Sequence, residues 1–106
     1  MKIQINTDKN ITVNEAMAKH IEETISHILS RFSSQITRLE IHISDENSAS
    51  KHAGVIDKKC VLEARLAGRK PTAVSDFALT VDQAITGAAH KMVHLLQSEL
   101  GKISNH

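Results

Sequence analysis

Few residues in this chain combine a reactive side chain with a spacing that could support chemistry. Cys60 is the one thiol. It falls on an apolar-facing position of an alternating segment with no histidine beside it, so it reads as a small buried side chain rather than a nucleophile. Alone, it has no partner for an internal disulfide. His90 and His94 are four residues apart, which puts both imidazoles on one helical face, where they could chelate a metal. No third ligand of matching geometry is visible, so the pair is a weak candidate and no metal or other cofactor is expected. Asp45-Glu46-Asn47 lacks the regular oxygen spacing and closing glutamate of a calcium loop and reads as a strand exit. Gly68-Arg69-Lys70-Pro71 opens no helix and is too short to cradle a phosphate; it punctuates a turn. No nucleophile–base pair can be assembled, so a non-enzymatic binding protein is expected.

Charge carries more information than reactivity. The formal net charge of the 106 residues is only +1, but it is unevenly spread. Residues 1–50 hold five Lys/Arg against seven Asp/Glu, and residues 51–106 hold eight against five. Most of the excess lies between Lys51 and Lys70, where Lys51, Lys58, Lys59, Arg65, Arg69 and Lys70 face only Asp57 and Glu63. Basic side chains release condensed counterions when they meet nucleic-acid phosphate, so this patch could bind RNA; a solvated edge that deters strand aggregation is the competing reading. Lys58, Lys59, Arg65, Arg69 and Lys70 are the candidate phosphate contacts here, and Lys91 and Lys102 are the candidates on the last helix.

The aromatic content is two residues, Phe32 and Phe77, and both fit core positions. A sheet that stacks unpaired bases needs exposed rings, so RNA binding here would use phosphates and helix shape. Seven histidines would add positive charge as pH falls toward about 6.

Positioning these residues requires strands and helices, and the hydropathy pattern supplies both. Lys2–Asn6 alternates with Ile3 and Ile5 on one side, a strand with one buried face. Thr12 with Glu15 makes a capping box, so a helix is expected from about Val13, with Met17, Ile21, Ile25, Ile28, Leu29 and Phe32 as its apolar stripe and Ser33-Ser34 as its end. Ile36–Ser44 returns to period two with Leu39, Ile41 and Ile43 inward. Residues 45–57 are polar and aperiodic, a loop. Lys58–Ala67 alternates with Cys60, Leu62, Ala64 and Leu66 inward, and Thr72–Phe77 is a short fourth strand. Thr80 and Gln83 form a second capping box for a helix buried through Val81, Ile85, Ala88, Met92, Leu95, Leu96 and Leu100, with Gly101 as its end. Gly87 inside that helix costs about 1 kcal/mol relative to alanine, tolerable where it permits close packing.

The order β-α-β-β-β-α in a single domain over 1–106 implies an α+β fold. A right-handed crossover makes the first two strands parallel, the remaining strands are antiparallel neighbours, and each strand has one apolar face. The result is a four-stranded mixed sheet with both helices packed on one face and the other face wet. The first residues hold no apolar run of signal-peptide length, and no stretch approaches a membrane span, so a cytoplasmic location is expected.

With this order in place, the sequence resembles the ribosome hibernation-promoting factor family, also called ribosome-associated inhibitor A, protein Y or sigma-54 modulation protein. The likeness rests on Lys2–Asn6, on Ile28-Leu29-Ser30-Arg31-Phe32, on Ile36-Thr37-Arg38-Leu39-Glu40-Ile41-His42-Ile43 and on the final helix from Asp82 to Met92. The resemblance implies a fold like the double-stranded-RNA-binding domain and a place in the decoding region of the small ribosomal subunit. There it would contact rRNA, occlude the messenger and transfer-RNA sites, and keep idle ribosomes inactive under stress or in stationary phase. It also implies the short form, without a second dimerisation domain, although a weak homodimer stays open. The chain departs from the family in its final helix, which offers Lys91 and Lys102 rather than a lysine-rich stretch. The alternative is a protein-interaction module of the same fold without ribosome binding, suited to a wet sheet face of mixed charge.

Overall fold

Alternating apolar side chains fold into strands when one face can be buried, and four segments here do so. The computed structural model describes residues 1–46 and 56–104, with side chains through Leu100. In chain order the elements are β1 (Lys2–Thr7), α1 (Glu15–Ile28), β2 (Ile36–Asp45), β3 (Lys58–Leu66), β4 (Thr72–Ala78) and α2 (Val81–Ser104). The strands lie side by side in the order β1-β2-β3-β4, with β1 parallel to β2 and the other pairs antiparallel. This is the α+β arrangement expected from the pattern.

The core lies between one sheet face and the two helices. Ile21, Ile25 and Leu29 from the first helical segment meet Ile85, Ala88, Met92 and Leu96 of α2 over Leu39, Ile41, Cys60, Leu62 and Ala64. A bulge at Thr37 brings Ile36 into this set. Ile36 pairs with Leu66 and Arg38 with Arg65, so Thr37 is an extra residue, and its hydroxyl donates to the Arg65 carbonyl at 3.0 Å. The extra residue shifts the phase of β2, so that Ile36 and Leu39 both face inward despite being three apart.

The helix boundaries differ from the sequence reading in three places. The N-cap of α1 is Asn14, whose side-chain oxygen accepts the Met17 N–H at 2.8 Å, so the expected Thr12–Glu15 capping box does not start it. Asparagine ranks above threonine as an N-cap, and it sits immediately before the first helical residue. At the other end α1 stops at Ile28, and Ser30–Phe32 form a tighter 3-10 turn that still buries Phe32. Helix α2 continues past Gly101 to Ser104. Its start is as expected, with the Gln83 N–H donating to Thr80 Oγ at 3.1 Å.

Both helices run in the same direction. His20 Nε2 lies 3.0 Å from Asp82 Oδ1 near their N-termini, and beyond the end of α1 Arg31 donates to the Gln97 side-chain oxygen at 2.6 and 3.0 Å. The loop expected over 45–57 falls mostly outside the described residues, as does Lys51; its two ends are joined by the Glu46 N–H donating to the Asp57 carbonyl at 2.9 Å.

Strand β4 corrects the placement of Phe77. Thr72, Val74, Asp76 and Ala78 are half-buried on the helix side, while Ala73, Ser75 and Phe77 face solvent. Phe77 is 47% exposed rather than part of the core. The inward position beside it holds Asp76, whose carboxylate pairs with Lys91 of α2 at 3.0 Å and lies against Gly87.

Candidate RNA-binding surface

The register of the sheet and the elements beyond it sort the candidate cations into four groups, of which Lys58, in phase with Cys60 on the helix-facing side of β3, is one. Lys59 and Arg65 share the wet face with Lys2, Gln4 and Asn6 of β1 and Arg38, Glu40 and His42 of β2. Arg69 and Lys70 project from the β3–β4 turn. Lys91 belongs to α2, behind the sheet. Lys102 lies in the last turn of α2, beyond the described side chains.

On the wet face, charge is already matched within the protein. Arg38 stands opposite Arg65 and Glu40 opposite Glu63, two like-charged pairs that would repel if isolated. One diagonal and two contacts along the strands relieve them: Arg65 lies 3.6 Å from Glu40 across the strands and 3.6 Å from Glu63 two residues away on β3, while Arg38 lies 3.9 Å from Glu40 on β2 and donates to the Gln4 side-chain oxygen. Lys59 approaches Glu46 at 3.5 Å, and its ammonium sits 5.4 Å from the centre of the Phe77 ring. Lys58 is bound more firmly. It pairs with Asp57 at 2.7 Å and Asp45 at 3.4 Å, and the hydrogen bond to Asp57 leads the contacts that raise its pKa. Lys91 donates to the Ser75 carbonyl at 2.9 Å as well as pairing with Asp76, so it ties α2 to strand β4.

Arg69 and Lys70 differ from these four. Both are exposed, and neither makes an ion pair among the described residues. Their turn is closed by the Arg69 N–H donating to the Leu66 carbonyl at 3.3 Å, with Gly68 at φ 70° in the third position. That left-handed conformation is the one a type II turn requires, and glycine adopts it without steric cost. The turn therefore presents two adjacent cations at the end of the sheet with no carboxylate to displace.

The other candidates stay apart from this surface. His90 and His94 are exposed on α2, and no group of three or more metal-ligating side chains occurs among the described residues. Cys60 is buried, and burial, with a smaller contribution from the Asp76 carboxylate, pushes its thiol up to about 12. A thiol so held is a poor nucleophile. No helix among the described residues is long and apolar enough to cross a membrane.

Residues 3–104 match the model of the family described as sigma 54 modulation protein / S30EA ribosomal protein. The chain belongs to this family. No curated protein matches its sequence. Among solved structures, it is similar to the N-terminal domain of Thermus thermophilus Protein Y at a TM-score of 0.71 and 13% identity, covering 92% of this chain and 98% of that one. It is also similar to a ribosomal subunit interface protein from Coxiella burnetii at a TM-score of 0.72 and 15% identity, covering 100% of both chains. At these identities the neighbours establish the fold that this family member shares with them.

Sequence reasoning placed the cations on the right strands but missed two features of the surface. It did not see the cross-strand half of the mesh that neutralises Arg65, because the approach of Glu40 on β2 is fixed only by the bulge-corrected register. It also placed Phe77 inside. The sequence signal that opposes this is Asp76 next to Gly87 and Lys91 in the helix above, a carboxylate with a built-in seat.

Proposed function

We propose that this member of the family is a non-enzymatic cytoplasmic factor that binds the small ribosomal subunit through rRNA phosphates and keeps idle ribosomes inactive under stress or in stationary phase. Family membership over residues 3–104 is the observation that carries this reading. The S30EA description links the family to the ribosome, and one structural neighbour is titled a ribosomal subunit interface protein. Arg69 and Lys70 are the primary phosphate contacts in this proposal, since their charges are not engaged by carboxylates. Lys59 and Arg65 follow, each having to exchange a protein carboxylate for a phosphate. Lys58, Lys91 and Lys102 are the remaining candidates.

A second reading is favoured by one observation, the internally neutralised mesh of Arg38, Glu40, Glu63 and Arg65. A face of matched charge suits a protein partner better than a polyanion, and a module of this fold without ribosome binding would have such a face. The experiment that separates the two is sedimentation of lysates from growing and starved cells on sucrose gradients, probing each fraction for the protein. Co-migration with small subunits that weakens as salt rises supports the first reading. Absence from all ribosomal fractions in both conditions supports the second.

A further inference from the structure

We propose that Phe77 on the wet sheet face is a stacking platform for an unpaired RNA nucleobase, with Lys59 taking the phosphate of the same nucleotide. This rests on the reading of the protein as an RNA-binding factor and adds to it a mode of contact that phosphate attraction does not include. A phenylalanine 47% exposed on a largely polar face keeps a flat apolar surface in water. Every nucleobase presents a π-face, so such a ring accepts bases with little regard to sequence. In the register, Phe77 stands directly opposite Lys59. The Lys59 ammonium covers the ring at 5.4 Å, and its anionic tether, Glu46, is a half-exposed rim contact at 3.5 Å. An arriving nucleotide can replace the ammonium over the ring while giving it a phosphate in exchange.

The surroundings continue the site. Beside Lys59, towards β1, lies a hollow of about 280 Å³ with Val61 among its walls and Asn6, His42 and Ser44 on its polar side. His42 and Ser44 have no side-chain hydrogen-bond partner among the described residues, so both are available to a base edge or a ribose hydroxyl. On this face Arg38, Lys59 and Arg65 are paired with Glu40, Glu46 and Glu63, so the ring and the unengaged polar groups, rather than a charge excess, would draw a strand across it. A single strand crossing from Phe77 over Lys59 into the hollow would meet a ring, a cation and unengaged polar groups in turn. A duplex, with its bases stacked inside, could not use the ring.

The test uses the full chain and a fluorescein-labelled single-stranded RNA octamer without self-complementarity, compared by anisotropy with the same octamer carrying abasic riboses. The wild-type protein should bind the intact octamer roughly five- to 150-fold more tightly than the abasic one, the range expected for one stacked base. Phe77→Ala should abolish that preference, and Phe77→Tyr should keep it. Paired Arg69→Ala and Lys70→Ala should weaken both octamers equally. Circular-dichroism melts of Phe77→Ala verify that the half-exposed position tolerates the change. Equal binding of the two octamers by wild type, failure to bind either at low salt, or a preference that survives in folded Phe77→Ala would each overturn the platform. An effect of Phe77→Ala on a protein contact alone would do the same. Ribosome association is read separately. Wild type that sediments with small subunits yet ignores the bases removes the platform only, whereas base discrimination without sedimentation removes the ribosomal reading only.

Discussion

The Asp76 carboxylate occupies the space that a β-carbon on Gly87 would need. Helix α2 thus crosses strand β4 with a glycine over a charged side chain, and Lys91, one turn further along, holds that side chain at 3.0 Å. Replacing glycine by alanine in a helix normally gains about 1 kcal/mol. Here the new methyl must expel the carboxylate from its seat and from Lys91, a partly exposed pair contributing about 1 kcal/mol. Gly87→Ala alone should therefore be neutral or destabilising, while in an Asp76→Ala background the same change should stabilise by about 1 kcal/mol. Urea melts of the four proteins measure the coupling, and additivity would show that Asp76 moves aside freely.

Asn14, not Thr12, caps α1. Asn14→Ala should lower stability by about 1 kcal/mol, since it leaves the Met17 N–H without its side-chain acceptor. Thr12→Ala should cost only about a few tenths of that. Thermal melts of the two variants give the ranking directly, and a reversed order would restore the expected capping box.

Leu62 and Ile41 are paired across β2 and β3 and are both fully buried under the helices. Leu62→Asp or Ile41→Asp would place an unpaired carboxylate among Leu39, Cys60 and Met92, at a cost of about 3–5 kcal/mol. We expect both variants to be unfolded or insoluble by circular dichroism and gel filtration. A soluble, cooperatively melting Leu62→Asp protein would contradict the strand register.

Cation contacts to rRNA make a prediction about salt. Log affinity for small subunits should fall linearly with log salt, and each phosphate contact removed should reduce the slope by about 0.7–0.9. Paired Arg69→Ala and Lys70→Ala should weaken binding most, because those charges are unspent. Paired Lys59→Ala and Arg65→Ala should weaken it less, because in the wild type these charges contribute to binding only after giving up Glu40, Glu46 and Glu63. Paired Lys91→Ala and Lys102→Ala test the helix as the contact. Binding indifferent to salt and to all three pairs would exclude phosphate contact.

Cys60 adds a dependence on alkaline pH. Its thiol is pushed from 9.0 to about 12, chiefly by burial, so the folded chain holds the proton more tightly than the unfolded chain. The stabilisation is complete below pH 9 and is lost as pH rises towards 12, with a slope of up to about 1.4 kcal/mol per pH unit in between. Cys60→Ala should show a lower but flatter stability profile over this range. Parallel profiles in urea melts would place the alkaline loss elsewhere.

The fold was readable because its apolar periodicities are clean. Leu39, Ile41 and Ile43 against Cys60, Leu62 and Ala64 fix two neighbouring strands, and the single inward face of each requires both helices on one side. The surface was less readable, for reasons that lie between elements. Hydrophobicity alone prefers an aromatic to Asp76 inside and so places Phe77 in the core, and only the facing Gly87 and Lys91 reverse that preference. Asn14 and Thr12 are both good caps, and the one used is the residue immediately before Glu15, where the helix starts. The ordering of the cations depends partly on neighbours along the chain, such as Glu63 for Arg65 and Asp57 for Lys58, and partly on Glu40, which reaches Arg65 across the strands and which no pattern along one strand reveals. Arg69 and Lys70 were visible as turn residues, but not as the candidates left unengaged.

Strand β1 occupies one margin of the sheet and is hydrogen-bonded to one strand, β2, from which α1 separates it in sequence. The other three strands form a continuous meander. Deuterium should therefore enter the amides of Lys2–Thr7 before those of β3, which is bonded along both sides. During refolding, β1 has the longest chain closure of the strand pairings to complete and should dock after the meander has formed. A covalent link between the two segments, through a circularly permuted chain in which β1 follows α2, would reveal whether that late docking sets the overall rate.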